Sequence, residues 1–135
     1  MYKQCGLTVL RVVVGIVFLM HGQQKLFGFG IHGVIGFFTQ AGIPLPAVSA
    51  PLVTFVEFLG GIALILGLGT RVAASLIAID MLGAIFLVHL KNGFFNIPPN
   101  IGYEFPLTLL AASIALALAG PGAAAVDAML SKGKA

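Results

Sequence analysis

At 135 residues the chain has room for one domain, residues 1–135. It is 59% hydrophobic and 8% charged, with a mean hydropathy of +1.11, and a water-soluble domain, at roughly 25% charged residues, is thereby excluded. The net charge of +3 comes from scattered basic residues without a cluster, which excludes a nucleic-acid surface, and the lone Cys5 excludes a disulfide or Cys-x-x-C pair within the chain.

The first apolar stretch covers about residues 7–27. Its basic start resembles a secretion signal, but Arg11 interrupts the run and His21-Gly22-Gln23-Gln24-Lys25 stands where a small-residue cleavage site belongs. It is therefore read as a retained membrane span. Residues 28–49 link it to the next span. Their middle, 31–41, carries Ile31, Val34, Ile35, Phe37 and Phe38 and predicts a short helix in the membrane interface, stopped by Gly42-Ile43-Pro44-Leu45-Pro46.

The second and third stretches, about 50–68 and 71–90, are joined by Gly67-Leu68-Gly69-Thr70 and predict an antiparallel hairpin, with Thr70 as the cap of the third helix. Residues 91–102, with Asn92-Gly93 and Pro98-Pro99, read as a surface loop. The fourth stretch, about 103–119, ends at Gly120-Pro121-Gly122, and residues 123–130 predict a short terminal helix with Asp127 on its exposed side. Stretches of this length suit membrane helices, which need about 20 apolar residues, rather than membrane strands of about 9 to 11. The fold class is all-α: an integral membrane four-helix bundle with a short interfacial helix between spans one and two. Lys3, Arg11, Arg71, Lys132 and Lys134 fall on one side and Lys25 and Lys91 on the other, so both termini are expected in the cytoplasm.

Ionisable residues inside the spans cost roughly 2.5 to 3.5 kcal/mol each at mid-helix and must pair, face other helices or lose their charge. At about 1.5 Å per residue from the cytoplasmic ends, Arg11 lies about 6 Å deep, Asp80 about 14 Å, Glu57 about 16 Å and His21 about 21 Å, with Lys25 and His89 near the outer rim. Arg11 and Asp80 are expected to form a structural pair, because an arginine side chain reaches several ångströms along its helix. His21 and Lys25, four residues apart, share one helix face, and Glu57 is expected to meet them. Metal binding by His21, Glu57 and His89 lacks any His-x-x-x-His or Glu-x-x-His spacing. No nucleotide loop is present, and Gly28-Phe29-Gly30 is not a dinucleotide fingerprint. Phe27, Phe29, Phe37, Phe38, Phe94, Phe95 and Tyr103 gather toward the outer interface, where aromatic rings form a belt and also suit a quinone ring.

The chain resembles the DoxX family of bacterial membrane proteins along nearly its whole length. The resemblance rests on Leu10-Arg11, His21-Gly22-x-x-Lys25-Leu26-Phe27-Gly28, Gly42-Ile43-Pro44-Leu45-Pro46 and Glu57-Phe58-Leu59-Gly60-Gly61. It continues through Gly67-Leu68-Gly69-Thr70-Arg71, His89-x-Lys91-Asn92-Gly93-Phe94-Phe95, Gly102-Tyr103-Glu104 and Gly120-Pro121-Gly122. It implies four transmembrane helices in the bacterial cytoplasmic membrane and a role in quinone-linked redox chemistry or oxidative-stress defence, beside a soluble oxidoreductase partner. On that reading His21 and Glu57 relay protons, while Lys25, Arg11 and His89 hold the quinone. A membrane scaffold without catalysis, or a small-solute or proton pathway, are the alternative readings of the same buried charges.

Overall fold

The computed structural model describes residues 2–132. Lys134, one of the basic residues used for orientation, lies outside them. The chain is helical apart from one small β pairing: α1 (Tyr2–Gln23), α2 (Gly30–Gln40), α3 (Pro46–Leu66), α4 (Thr70–Ala84), α5 (Glu104–Ala119) and α6 (Val126–Lys132). Six residues of wider π-helical turn, Gln24–Phe29, join α1 to α2, and another π turn, Ile85–His89, extends α4 into a short 3₁₀ turn, Leu90–Asn92. Three stretches are long and apolar enough to cross a membrane: Tyr2–Gln40, Pro46–Leu66 and Thr70–Asn92. The shorter apolar helix α5 has 16 residues. The outer faces explain the apolar composition. Val9, Val13, Ile16 and Met20 recur at helical spacing along α1 and are all exposed, as are Val72, Leu76 and Ile79 on α4 and Phe86 in the π turn that extends it. Such stripes are stable only against lipid. The protein is a helical membrane protein.

Buried residues of four helices make one core: Val14 and Phe18 from α1, Leu64 from α3, Ala74, Ile77 and Met81 from α4, and Leu109 and Leu116 from α5. The predicted short helix is present as α2, and Val34 and Phe38 seat it on Ala50 near the start of α3. Pro46 sits in the first turn of α3, where the missing N–H costs nothing. The 91–102 loop is more ordered than its composition suggests. Asn96–Ile97 pairs antiparallel with Asn100–Ile101, and the Ile101 carbonyl receives Asn92 Nδ2 at 3.1 Å.

In lipid no hydrophobic effect drives helices together, so close contact has to. The α1–α3 contact is built on glycine. A Cβ on Gly15 would lie 2.9 Å from the Gly61 carbonyl, and one on Gly22 would lie 2.5 Å from the Phe58 nitrogen. A Cβ on Gly61 would likewise run into the Leu19 backbone.

Arg11 closes the end of the bundle that holds the termini. It is 1% exposed. Its Nη1 donates to the carbonyls of Leu64 (2.8 Å) and Ile65 (2.9 Å) at the end of α3, where the regular helical donors run out and Leu64 otherwise has only a long bond from Gly67 N (3.2 Å). Its Nε donates to Pro121 (2.9 Å), and its Nη2 to Ala123 (3.3 Å) and Ala124 (3.0 Å). The expected Arg11–Asp80 pair is therefore not formed. Five carbonyls from two segment ends short of helical donors outcompete one carboxylate deeper in the bundle. Gly67, at φ 70°, leaves the guanidinium its space, since a Cβ there would stand 2.6 Å from Nη1.

The α4 cap also differs from expectation. Thr70 is the first residue of α4, and the capping side chain is that of Asp127, whose Oδ1 accepts from Gly69 N (2.7 Å) and whose Oδ2 accepts from Thr70 N (2.8 Å). Asp127 thus faces the bundle rather than solvent. Partial burial alone would raise its pKa, but the Thr70 and Gly69 N–H donors, with Arg11 nearby, outweigh this and hold the carboxyl below its ordinary value.

Two outcomes test this packing. Gly61→Ala should lower the thermal midpoint in detergent, costing about 1–3 kcal/mol as overpacking against backbone does. Gly83→Ala, where a Cβ meets open space, should not. Equal midpoints would rule out the close α1–α3 contact. In a double-mutant cycle, Arg11→Met should destabilise strongly, with each buried carbonyl that loses its donor costing about 1–3 kcal/mol. Its coupling to Asp80→Asn should stay within about 0.5 kcal/mol, as for sites without shared partners. A larger coupling would restore the pair that the geometry replaces.

Candidate functional site

The polar centre of the bundle is assembled by three helical segments. Glu57 lies midway along α3 and is buried. Lys25 lies in the π turn that follows α1, and its Nζ meets Glu57 Oε2 at 2.5 Å. The close approach at Gly22, against the backbone of Phe58, brings α1 near enough for that contact. Asp80 of α4 adds a second carboxyl near Glu57, and its Oδ2 is buried without a hydrogen-bond partner among the described residues. One lysine therefore stands with two carboxyls in a space of low dielectric, where a second negative charge needs a proton or a cation to balance it.

The side-chain exposures of the pair differ: 5% for Glu57 and 21% for Lys25. Lys25 is the member open to the outside. Beside it, the exposed ring of Phe27 meets Phe58 edge-on, with centroids 6.2 Å apart.

Of the residues picked out from the sequence, Lys25 and Glu57 meet as anticipated, and Asp80 joins them instead of Arg11. His21 does not enter the cluster. Its Nδ1 pairs with the Val17 carbonyl of its own helix at 2.8 Å, and its ring lies 6.5 Å from that of Phe105. The reason is local: the Val17 carbonyl, one turn back on the same helix, takes the His21 ring, whereas the longer Lys25 side chain reaches across to Glu57. His89, in the second π turn, bonds through Nδ1 to the Ile101 carbonyl at 3.0 Å and ties α4 to the small hairpin. Arg11 bonds to Leu64, seven residues beyond Glu57 and hence about 10 Å along α3. Lys25, Arg11 and His89 therefore do not surround a common ligand. His21, Glu57 and His89 do not converge on a metal, and no metal-binding group of three His, Cys, Asp or Glu occurs among the described residues. The sequence did hold a signal for Asp80. The depths of about 14 Å and about 16 Å already put Asp80 level with Glu57, although arginine's reach puts Asp80 within range of Arg11 as well.

The comparisons with known proteins agree with this architecture. The DoxX family profile matches residues 6–90. A Bacillus subtilis (strain 168) protein named "Putative oxidoreductase CatD" is 38% identical over 131 residues, covering 97% of this chain and 91% of that protein. Two Escherichia coli (strain K12) proteins, named inner membrane proteins YqjF and YphA, are 32% and 28% identical, covering 96% and 90% of this chain and 95% and 87% of their own lengths. No solved structure matches. With its matched profile, its long apolar helices and relatives aligned from end to end, the chain belongs to the DoxX family.

Proposed function

We propose that the protein is a quinone-linked redox subunit of the bacterial inner membrane, working with a soluble oxidoreductase that supplies electrons. Four helices cross the bilayer, both termini lie in the cytoplasm, and α2 rests in the opposite interface. The fourth crossing is α5: its 16 residues span about 24 Å, and it shares the core of the other three. The names of the Escherichia coli relatives support the membrane, and that of CatD supports redox chemistry.

The observation that carries the reading is the Lys25–Glu57 ion pair, half open on its lysine side and backed by Asp80. A quinone is a substrate dissolved in the bilayer whose carbonyl oxygens take up protons as the ring is reduced. Phe27 and Phe58 offer it an edge from the lipid side. The Lys25 ammonium donates to an oxygen there and stabilises negative charge on it. Glu57 and Asp80, side by side, hold and pass the proton, with Lys25 as their counter-charge. His21 and His89 are left out of this relay because their rings bond to the Val17 and Ile101 carbonyls. In a scaffold, the same ion pair would serve only to join α1 to α3.

The experiment that separates these is Glu57→Gln, which keeps the shape and removes the titrating proton. Asp80 remains as a carboxylate for Lys25, so the variant should fold and insert as the natural protein does. Quinone-linked or protective activity in cells that depend on the protein should be lost. Full activity in a folded Glu57→Gln variant would eliminate the relay. Removing both carboxylates leaves Lys25 uncompensated, so Glu57→Gln with Asp80→Asn should cost roughly 3–5 kcal/mol and abolish folding. The topology has its own check. A cysteine at Ser131, in a Cys5→Ser background, should be labelled only after the cytoplasmic side is opened. Labelling from the periplasm in intact cells would invert the orientation.

A further inference from the structure

Two depressions meet at the start of α4, away from the Lys25–Glu57 pair. One is an apolar groove of about 400 Å³ on the outer face of the α3–α4 hairpin, walled by Leu52, Phe55, Leu59 and Ala63 from α3 and by Val72 and Leu76 from α4. The other is a notch, also about 400 Å³, whose walls add the polar side chains of Thr70, Arg71, Asp127 and Ser131 to Val72, Pro121 and Ala128. Gly69 and Val72 line both, so groove and notch are continuous at the α3–α4 turn.

The dimensions and the chemistry suit one kind of occupant. From Leu52 to the end of α3 at Leu66 the groove follows about 21 Å of helix, and it reaches Leu68 and Gly69 in the turn. Half the hydrocarbon thickness of a bilayer is about 15 Å. The groove is thus long enough for an acyl chain that runs the depth of one leaflet, and it belongs to the apolar surface that already faces lipid. The polar end lies at a helix turn, where a span meets the headgroups. There Arg71 is held in place by Nη1, which donates to the carbonyls of Ala117 (3.2 Å) and Leu118 (2.6 Å). Hydrogen bonds among the described residues use only this nitrogen, leaving Nε and Nη2 for an oxygen anion. Asp127 is the negative group in the notch, but both its oxygens accept backbone N–H groups of Gly69 and Thr70.

We propose that this continuous depression binds one phospholipid of the leaflet that meets the α3–α4 turn, with an acyl chain in the groove and the phosphate on Arg71. The site is independent of the quinone reading. It lies on the outer face of α3–α4, and its polar end is at the membrane surface rather than at the level of Glu57.

Native mass spectrometry of the full chain in mild detergent, followed by titration with phosphatidylglycerol, tests it. The natural protein should retain one phospholipid per chain. Val72→Trp fills the junction of groove and notch at a residue 66% exposed, so folding is spared, and it should lose that lipid. Ile79→Trp, equally exposed on the same helix but outside both depressions, should keep it. Arg71→Gln should weaken binding about tenfold or more, the worth of a charge-assisted hydrogen bond, and Arg71→Lys should restore much of it. Retention by Val72→Trp equal to the natural protein would overturn the proposal. So would undiminished affinity in Arg71→Gln, or a quinone or a second copy of the chain in place of the phospholipid.

Discussion

A bilayer offers no water to a stranded carbonyl, and in this protein Arg11 takes water's place. The last turn of α3 and the chain after α5 both end with carbonyls short of regular helical donors, and a single guanidinium donates to five of them. This brings the C-terminal segment against the α3–α4 turn, where Asp127 caps α4. Thr8 reinforces the same closure by donating to the Ala123 carbonyl at 2.7 Å. The cost of an arginine within a span is offset because every N–H it buries finds an acceptor. Lysine, with three donors and no planar fork, could not serve both segments in this way.

The closed end and the polar centre do different work. Near the termini, charged groups answer backbone groups, and the result is structural. At mid-bundle, charged groups answer one another, and the balance is incomplete: one lysine faces two carboxyls, one of which has an oxygen without a partner. Incomplete satisfaction in an apolar surrounding is costly. It is the kind of arrangement from which a membrane protein draws proton chemistry.

The two π turns show how helical segments are adapted to this end. Each widens the helix by one residue per turn and re-aims the side chains that follow. The first directs Lys25 at Glu57, and the second places His89 against the small hairpin. Glycine makes the first of these effective, because Gly22 and Gly61 allow α1 and α3 to touch through their backbones. A bulkier pair of helices would hold Lys25 out of reach.

Composition and periodicity alone determined that this is an all-α membrane protein, where its long apolar helices lie, and that a short helix follows the first. Each of these depends on local hydropathy, or on spacing along a single helix, and such quantities are written in the order of the residues. Tertiary structure decided the rest. Arg11 turned to carbonyls, because orphan carbonyls exist only once helix ends are placed in space. Asp127 became the cap of α4 across 57 residues of chain, a pairing that no local rule for capping encodes. His21 stayed out of the Lys25–Glu57 contact because its Nδ1 pairs with the Val17 carbonyl of its own helix, and which partner a ring finds is settled only in the packed bundle. Asp80 joined Glu57 because α3 and α4 pack at that level, with Gly60 against Ile77, and that packing depends on the shape of both helices together.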